Sequence, residues 1–198
     1  DLPREAVSLG IEGVELFAHL QRSSRGVADA ISVALPFITG PFLVLLGDNL
    51  LMTQHKAPKY SGPSHASNAS RMLVEEFIQN GLPCVGVYPV EPSELGKFGV
   101  VELDGNKIVS LVEKPAETDT LSNYVLCGRY VMPRNMQELL DKYSLSEFGE
   151  EQSIRVLHHF MENEGLVAVK LDHAKMYDSG DPVSWLKAQM EHAVLRED

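Results

Sequence analysis

The sequence is poor in cysteine and contains no long apolar run. Its two cysteines, Cys84 and Cys127, both lie in apolar segments, so we predict reduced core thiols rather than a disulfide framework. No apolar stretch approaches the roughly 20 residues that a membrane-spanning helix needs, and the first residues have neither the basic nor the apolar region of a secretory signal. These absences predict a cytoplasmic protein with no membrane partner.

Basic residues are also scarce. The chain has 17 lysines and arginines against 28 aspartates and glutamates, which gives a net charge of −11. Because a nucleic-acid-binding surface needs clustered basic side chains to face the phosphate backbone, this balance argues against nucleic acid as a partner. It also predicts that an anionic substrate would be bound through local cations, either a metal ion or well-placed lysines.

Several familiar catalytic motifs are missing. No segment matches a P-loop, the glycine fingerprint of dinucleotide-binding domains, a zinc cluster or a serine-nucleophile elbow. The composition, with 44% hydrophobic and 23% charged residues, is typical of a globular protein. A length of 198 residues suits one core, so we predict a single domain over residues 1–198.

The most informative segment is an apolar run that ends abruptly in polar residues. Residues 41–46 carry no charge and are typical of a strand buried on both faces in the middle of a parallel sheet. Gly47, Asp48 and Asn49 follow at the predicted carboxyl end of this strand, where ligands bind in open α/β sheets. A carboxylate there can hold Mg²⁺, which in turn can hold a phosphate. Alternatively, these three residues only form a turn after a core strand.

Alternating strand and helix patterns predict an α/β fold with a parallel crossover unit. This unit comprises a strand over residues 14–21, a helix over 27–38 and the strand at 41–46. Further along we predict strands at 83–89, 123–132 and 166–171, helices at 69–79, 133–142, about 150–164 and about 182–196, and a β-hairpin over 99–113 with its turn at Asp104-Gly105.

Gly128, inside its strand, indicates the close approach of a neighbour or a ligand. Residues 54–67 predict a loop over the site, in which His55 and His65 are either metal ligands or solvated side chains.

Three polar pieces follow predicted strands and are candidates for a site. They are residues 47–49, 113–115 and 177–182. Asp48 and Asp178 could chelate one Mg²⁺, because Mg²⁺ prefers few protein carboxylates and takes its other ligands from phosphate and water. Lys114 could neutralise a phosphate, and Glu113 could accept hydrogen bonds from substrate hydroxyls. Alternatively, Asp178 caps the last helix or the turn before it, and Glu113 and Lys114 form an exposed hairpin end.

Five stretches occur in an order that resembles one enzyme family. They are residues 42–49 (FLVLLGDN), 97–102 (KFGVVE), 112–115 (VEKP), 122–130 (SNYVLCGRY) and 177–180 (YDSG). Together they resemble the sugar-1-phosphate nucleotidyltransferases, in the group of the glucose-1-phosphate thymidylyl- and uridylyltransferases. The resemblance implies a Rossmann-like three-layer nucleotidyltransferase fold with a mostly parallel central sheet and a β-hairpin insertion for the sugar.

The resemblance also implies a role for each matching residue. Asp48 and Asp178 are expected to hold Mg²⁺, with Asp48 also binding the nucleotide, and Lys114 is expected to bind the sugar phosphate; these three are the catalytic candidates. Gln21 and Gly26 are expected to contact the nucleotide base. The residues expected to contact the sugar are Asn49, Gly99, Glu113, Lys114, Leu126 and Tyr130.

The reaction implied by the resemblance is nucleotidyl transfer. A sugar-phosphate oxygen, of glucose 1-phosphate for example, attacks the α-phosphorus of UTP or dTTP, and pyrophosphate leaves. No protein nucleophile is required, since positioning and charge neutralisation supply the catalysis. The family's glycine-rich triphosphate loop has no counterpart in residues 1–20, and residues 148–153 depart from a later family pattern. We therefore expect an N-terminally truncated domain that is inactive on its own; a homo-oligomer is a further expectation.

Two other functions fit parts of the sequence. A catalytically silent relative that serves as a regulatory or scaffolding subunit would explain the missing phosphate loop, but such a subunit has no need of the paired aspartates Asp48 and Asp178. A glycosyltransferase that uses a nucleotide sugar would share the sheet and the metal. The hairpin end at residues 113–115 favours the nucleotidyltransferase over it.

Overall fold

The computed structural model describes residues 17–23, 25–52, 68–116, 122–142 and 152–194. Its helices are α1 (Val27–Ala34), α2 (Asn68–Asn80), α3 (Met136–Lys142), α4 (Gln152–Asn163) and α5 (Pro182–Val194), with 3₁₀ turns at Leu35–Phe37 and Pro92–Lys97. Its strands are β1 (Phe42–Leu45), β2 (Asn49–Met52), β3 (Cys84–Pro89), β4 (Gly99–Asp104), β5 (Lys107–Glu113), β6 (Tyr124–Met132), β7 (Val167–Lys170) and β8 (Lys175–Asp178). The predicted loop at 54–67 and residues 148–151 lie outside the described residues.

Six strands form a mixed sheet in the order β1-β6-β3-β7-β5-β4. Within it, β3 and β7 run parallel, whereas the β1–β6, β3–β6, β4–β5, β4–β6 and β5–β7 pairings are antiparallel. The prediction of a mostly parallel sheet is therefore wrong for the part of the chain that the structure describes. An apolar run indicates that a strand is buried, but it does not determine the direction of the neighbouring strands.

β1 shows this difference most clearly. It pairs with β6, from Phe42 opposite Met132 to Leu45 opposite Arg129, and no other strand within the described ranges pairs with it. Its side chains are half-buried and Leu45 is 53% exposed, so the predicted burial on both faces is not found. Residues 17–21, the described part of the predicted strand at 14–21, do not form a strand, and the predicted parallel crossover is not formed there.

The hairpin of β4 and β5 belongs to the same sheet. Gly99 pairs with Glu113 and Asp104 with Lys107, so the central turn residues are Gly105 and Asn106, one position later than predicted. Gly105 has a φ of 64°, which glycine adopts without strain. Because β4 also pairs with β6, the hairpin is part of the main sheet, and its role as an insertion for the sugar stays a prediction.

A second, two-stranded sheet was not predicted from the sequence. β2 and β8 pair antiparallel, from Asn49 opposite Asp178 to Met52 opposite Lys175. This ribbon connects the end of the polar piece at 47–49 with the start of the polar piece at 177–182. It therefore brings two of the three candidate pieces together.

Helices cover both faces of the main sheet. Helix α2 contributes to one buried cluster, which contains Cys127, whereas α1, α3 and α4 contribute to another, which contains Leu126. Leu126 and Cys127 are neighbours on β6, and successive strand residues face opposite sides of a sheet. The arrangement is thus helix, sheet, helix. Among the helices of the described ranges, none combines the length and the apolar character that crossing a membrane requires.

Both cysteines are buried free thiols, as predicted. Burial raises the pKa of Cys84 and the pKa of Cys127 to about 12. The neutral thiol is therefore the form that the core accommodates.

Candidate functional site

A β-turn carries Asp48 from the main sheet to the second sheet. The chain leaves β1 at Leu46, whose amide donates to the carbonyl of Gly128 in β6 at 2.9 Å. The amide of Asn49 then donates to the Leu46 carbonyl at 3.3 Å, which closes a turn with Gly47 and Asp48 at its central positions. The polar residues after the apolar run are thus a turn, as the alternative prediction held, and this turn leads directly into β2.

The two candidate aspartates meet next to Gly180. Asn49 lies opposite Asp178 in the second sheet, and Ser179 donates to the Asp48 carbonyl through its amide at 2.8 Å and its hydroxyl at 2.7 Å. A Cβ added at Gly180 would lie 3.1 Å from Asp178 Oδ1 and 3.6 Å from Asp48 Oδ2. Both carboxyl groups therefore border the same small space.

Asp178 does not cap the last helix. Asp181 has that role, because its Oδ1 accepts hydrogen bonds from the amides of Val183 at 2.9 Å and Ser184 at 3.0 Å. Asp178 Oδ1 instead accepts from the amide of Gly180 at 3.0 Å. Asp178 therefore does not cap the last helix but binds within the turn that precedes it, as the second half of the alternative prediction held, and the same oxygen borders the space beside Gly180.

The pair of carboxylates fits a hard divalent cation. Asn49 Nδ2 donates to Asp48 Oδ1 at 2.9 Å, which leaves Oδ2, the oxygen nearest to Gly180, as a ligand atom. Within the described ranges no group of three or more His, Cys, Asp or Glu side chains is arranged to hold a metal ion. Two carboxylates suit Mg²⁺, which completes its coordination with water and substrate phosphate.

Three of the predicted sugar-contacting residues also lie together. Gly99 and Glu113 face each other across the hairpin, and a Cβ added at Gly99 would lie 2.9 Å from Glu113 Oε2 and 3.2 Å from Leu126 Cδ1. Only the absence of a side chain at Gly99 allows this approach. The group combines a carboxylate, which accepts hydrogen bonds, with an apolar side chain.

Tyr130 interacts electrostatically with members of both groups, Glu113 and Asp48. Burial, and after it electrostatic interaction with Cys127, Glu113 and Asp48, raises the pKa of the Tyr130 phenol. Two of the candidate carboxylates, Glu113 and Asp48, are thus close enough to interact with the phenol electrostatically. The phenol is neutral at any ordinary pH and keeps its proton for donation.

Lys114 follows directly after the hairpin. Its φ is 47°, which is uncommon for a residue with a side chain, and its amide donates to the Phe98 carbonyl at 2.9 Å. Its Nζ lies 3.9 Å from Glu113 Oε1, and the lysine side chain is 59% exposed. An exposed pair of this kind contributes at most about 1 kcal/mol, so the ammonium group can exchange this partner for a phosphate.

Gln21 and Gly26, the predicted base-contacting residues, lie near each other. Gln21 Nε2 donates to the Gly26 carbonyl at 3.2 Å and to Asp29 Oδ2 at 2.6 Å. Gly26 has a φ of 92° and immediately precedes α1. No hydrogen bond found in the described residues links this pair to Asp48 or Asp178, and contact with a base stays a prediction.

A family model described as nucleotidyl transferase matches residues 4–194. The chain belongs to the nucleotidyl transferase family. Over 200 residues it is 26% identical to the UTP–glucose-1-phosphate uridylyltransferase of Mycoplasma genitalium, a match that covers 95% of this chain and 64% of that protein. Over 182 residues it is 28% identical to the UTP–glucose-1-phosphate uridylyltransferase YngB of Bacillus subtilis, with 89% and 57% covered. The chain therefore spans about three fifths of the length of these curated relatives.

A solved structure confirms the fold of this nucleotidyl transferase family member. The UTP-bound UGPase from Acinetobacter baumannii matches it with a TM-score of 0.75 at 20% identity, covering 96% of this chain and 64% of that one. The α/β nucleotidyltransferase fold implied by the sequence resemblance is thus confirmed, with a mixed sheet in place of the mostly parallel one.

Lysines that the sequence analysis missed line a cavity of about 540 Å³ beside Asp178. They are Lys97, Lys175 and Lys187, and Lys97 Nζ lies 3.3 Å from Glu94 Oε1. The same cavity is lined by four acidic residues, Glu91, Glu94, Asp178 and Asp181, so the three lysines offset most of this negative charge but do not make the cavity cationic. The three come from a 3₁₀ turn, a strand and a helix, so no local sequence pattern connected them.

Ser179 and Arg129 also escaped the sequence analysis as site residues. Ser179 binds the backbone of Asp48, and Arg129 donates to the carbonyl groups of Leu46 and Asn49. Both act on the backbone of the turn that carries Asp48, and such contacts leave no recognisable motif in a single sequence. The resemblance included these residues only as parts of the stretches 122–130 and 177–180.

Proposed function

We propose that the protein transfers a uridylyl group from UTP to glucose 1-phosphate, which gives UDP-glucose and pyrophosphate. The observation that carries this proposal is the meeting of the Asp48 and Asp178 carboxyl groups beside Gly180, in a chain of the nucleotidyl transferase family. The curated relatives are UTP–glucose-1-phosphate uridylyltransferases, which supports UTP over dTTP. Because this chain spans about three fifths of their length, the proposal concerns the activity of the whole protein.

Asp48 and Asp178 are the residues that would hold Mg²⁺. When bound, the ion would neutralise phosphate charge and help to orient the triphosphate. Asn49 fixes the Asp48 carboxylate through its hydrogen bond to Oδ1, and the Gly180 amide fixes the Asp178 carboxylate in the same way. The two side chains are thus held in place before a substrate arrives, which lowers the cost of organising the site.

The sugar phosphate would be bound by the residues around the hairpin. Glu113 would accept hydrogen bonds from sugar hydroxyls, and Leu126 would pack against the apolar face of the ring. The Tyr130 phenol, which burial and neighbouring negative charges keep protonated by raising its pKa, would act as a donor. Lys114 would neutralise the sugar phosphate as a point charge. The attacking oxygen belongs to the sugar phosphate, so the protein supplies position and charge rather than a nucleophile.

Pyrophosphate release by the whole protein tests this proposal, because the 198 residues are expected to be inactive on their own. Asp48→Asn and Asp178→Asn retain the size of each side chain and remove its charge, and each should lower kcat/KM for UTP and glucose 1-phosphate by about 100-fold or more. Asp104→Asn, in the exposed turn of the hairpin, is the matched control and should retain the wild-type rate. With dTTP in place of UTP, the wild type should be slower.

Two results would contradict the proposal. One is a wild-type rate in either active-site variant, which would mean that the paired carboxylates do not take part in the reaction. The other is a whole protein, longer than these 198 residues, that releases no pyrophosphate with either nucleotide, which would favour the catalytically silent alternative. The homo-oligomer and the cytoplasmic location stay predictions, and sedimentation at several protein concentrations tests the first.

A further inference from the structure

Arg129 joins the two ends of the turn that carries Asp48. From its position on β6, its Nη1 donates to the Leu46 carbonyl at 3.2 Å and to the Gly128 carbonyl at 3.2 Å, and its Nη2 donates to the Asn49 carbonyl at 3.0 Å. Leu46 and Asn49 are the first and last residues of this β-turn. One planar group therefore sets the distance between the points at which the chain enters and leaves the turn.

A guanidinium group suits this geometry better than an ammonium group does. Its donors lie in a rigid fork, so a single side chain can bind two carbonyl groups at a fixed spacing, whereas a lysine ammonium is a point charge on a flexible stem. Hydrogen bonds from a charged donor are roughly twice as strong as neutral ones. Arg129 Nε is buried and has no hydrogen-bond partner in the described part of the chain, so this side chain's hydrogen bonds come from the two outer nitrogens.

A second residue, from the loop that follows β8, also binds the backbone of this turn. Ser179, directly after β8, donates to the Asp48 carbonyl through its amide and its hydroxyl. Arg129 holds the carbonyl groups at both ends of the turn, and Ser179 holds the one near its middle. Three backbone carbonyls in a four-residue segment are thus bound by groups from β6 and from the start of the Asp178 loop.

We propose that Arg129 is a positioning residue for the carboxylate pair. By joining Leu46 to Asn49, it holds the turn in the conformation in which Asp48 meets Asp178 beside Gly180. Arg129 acts on the carboxylate pair through the backbone of the turn. The expected effect on cation affinity rests on the proposed function. The expected effect on the conformation of the turn rests on the hydrogen bonds alone.

The test compares Arg129→Met and Arg129→Lys with the matched control Arg134→Met. Arg134 binds Gln137 near the start of α3 at 2.8 Å and has no hydrogen bond to the turn among the described residues. Mn²⁺ serves as the probe, and its binding is measured by electron paramagnetic resonance on folded protein. Arg129→Met should lower Mn²⁺ affinity about tenfold, the lower end of the range for removal of a residue that orients a metal ligand. Arg129→Lys should restore part of the loss, and Arg134→Met should bind as the wild type does.

Hydrogen exchange of the Asn49 and Ser179 amides, resolved by nuclear magnetic resonance, reports on the turn without a metal. In Arg129→Met both amides should exchange at least tenfold faster than in the control, while amides of β3 keep their protection. Wild-type Mn²⁺ affinity in folded Arg129→Met, or unchanged exchange at both amides, overturns the positioning role. If the wild type binds no Mn²⁺, the metal part of the proposed function fails, and the exchange rates alone then decide whether Arg129 holds the turn.

Discussion

Replacement of Gly128 by alanine should displace the turn that carries Asp48. A Cβ at this position would lie 2.7 Å from Leu46 Cβ and 3.0 Å from both Leu46 Cγ and Asn49 Cγ. Non-bonded carbon atoms prefer a separation of about 3.5–4.0 Å, so the shortfall at Leu46 is roughly 1 Å. Because Leu46 Cβ is bonded directly to the backbone, a rotamer change does not relieve the overlap, and the turn itself must move away from β6.

The size of the effect follows from this overlap. Overpacking of this kind costs about 1–3 kcal/mol of unfolding free energy. For a chain of 198 residues, each kcal/mol corresponds to a change in Tm of about 2–4 °C. Gly128→Ala should therefore lower Tm by about 2–12 °C. Since the displaced segment carries Asp48, the affinity for Mn²⁺ should fall as well.

Thermal unfolding followed by far-ultraviolet circular dichroism measures the stability change, and Gly47→Ala is the matched control. Gly47 lies in the same turn, has open space around its Cα and is not among the described residues with positive φ. Its replacement should change the unfolding free energy by less than about 0.5 kcal/mol, or stabilise the fold slightly. Equal Tm values for the two variants would refute the close packing of the turn against β6.

Three further predictions concern the sugar end of the site and the core. Gly99→Ala would place a Cβ 2.9 Å from Glu113 Oε2 and 3.2 Å from Leu126 Cδ1. The Glu113 carboxylate can swing away at little cost in stability, so KM for glucose 1-phosphate should rise at least tenfold while Tm changes by only a few degrees; an unchanged KM would exclude Glu113 from the sugar site. The thiols of Cys84 and Cys127 have pKa values raised by burial from 9.0 to about 12, so the unfolded chain loses these protons first as the pH rises. Their contribution to stability should be complete below pH 9 and lost towards pH 12, as followed by urea unfolding at several pH values. Both thiols should resist a disulfide exchange reagent until the protein is denatured, and rapid labelling of the native protein would contradict their burial.

Local patterns predicted the helices and the hairpin well. The helix predicted at 69–79 is α2, Asn68–Asn80, and the hairpin predicted over 99–113 consists of β4 and β5. Gly128, predicted to allow the close approach of a neighbour or a ligand, is approached by Leu46 and Asn49. Each of these predictions depends on residues that lie within a few positions of one another, where periodicity and turn preferences act directly.

The sheet was harder to predict because its pairings are non-local. The apolar run at 41–46 suggested a central parallel strand, but β1 pairs antiparallel with β6, and apolar composition does not distinguish these two arrangements. β2 and β8 were missed because each has only four residues and adjoins a polar piece with strong turn character. Their pairing depends on contacts between distant parts of the chain, which no short window of sequence contains.

The second sheet also explains why Asp48 and Asp178 meet even though the predicted parallel strand ends are absent. In β2 and β8, Leu50 lies opposite Tyr177 and Leu51 opposite Met176, and Tyr177 is buried. A slip of one residue would move every side chain of a strand to the opposite face, so burial of Tyr177 favours the observed register, although Leu50 opposite it is 40% exposed. That register places Asn49 opposite Asp178 and allows Ser179 to bind the Asp48 carbonyl. The pairing of β2 with β8 therefore brings Asp48 and Asp178 together, and these two residues supply the carboxylates of the candidate site.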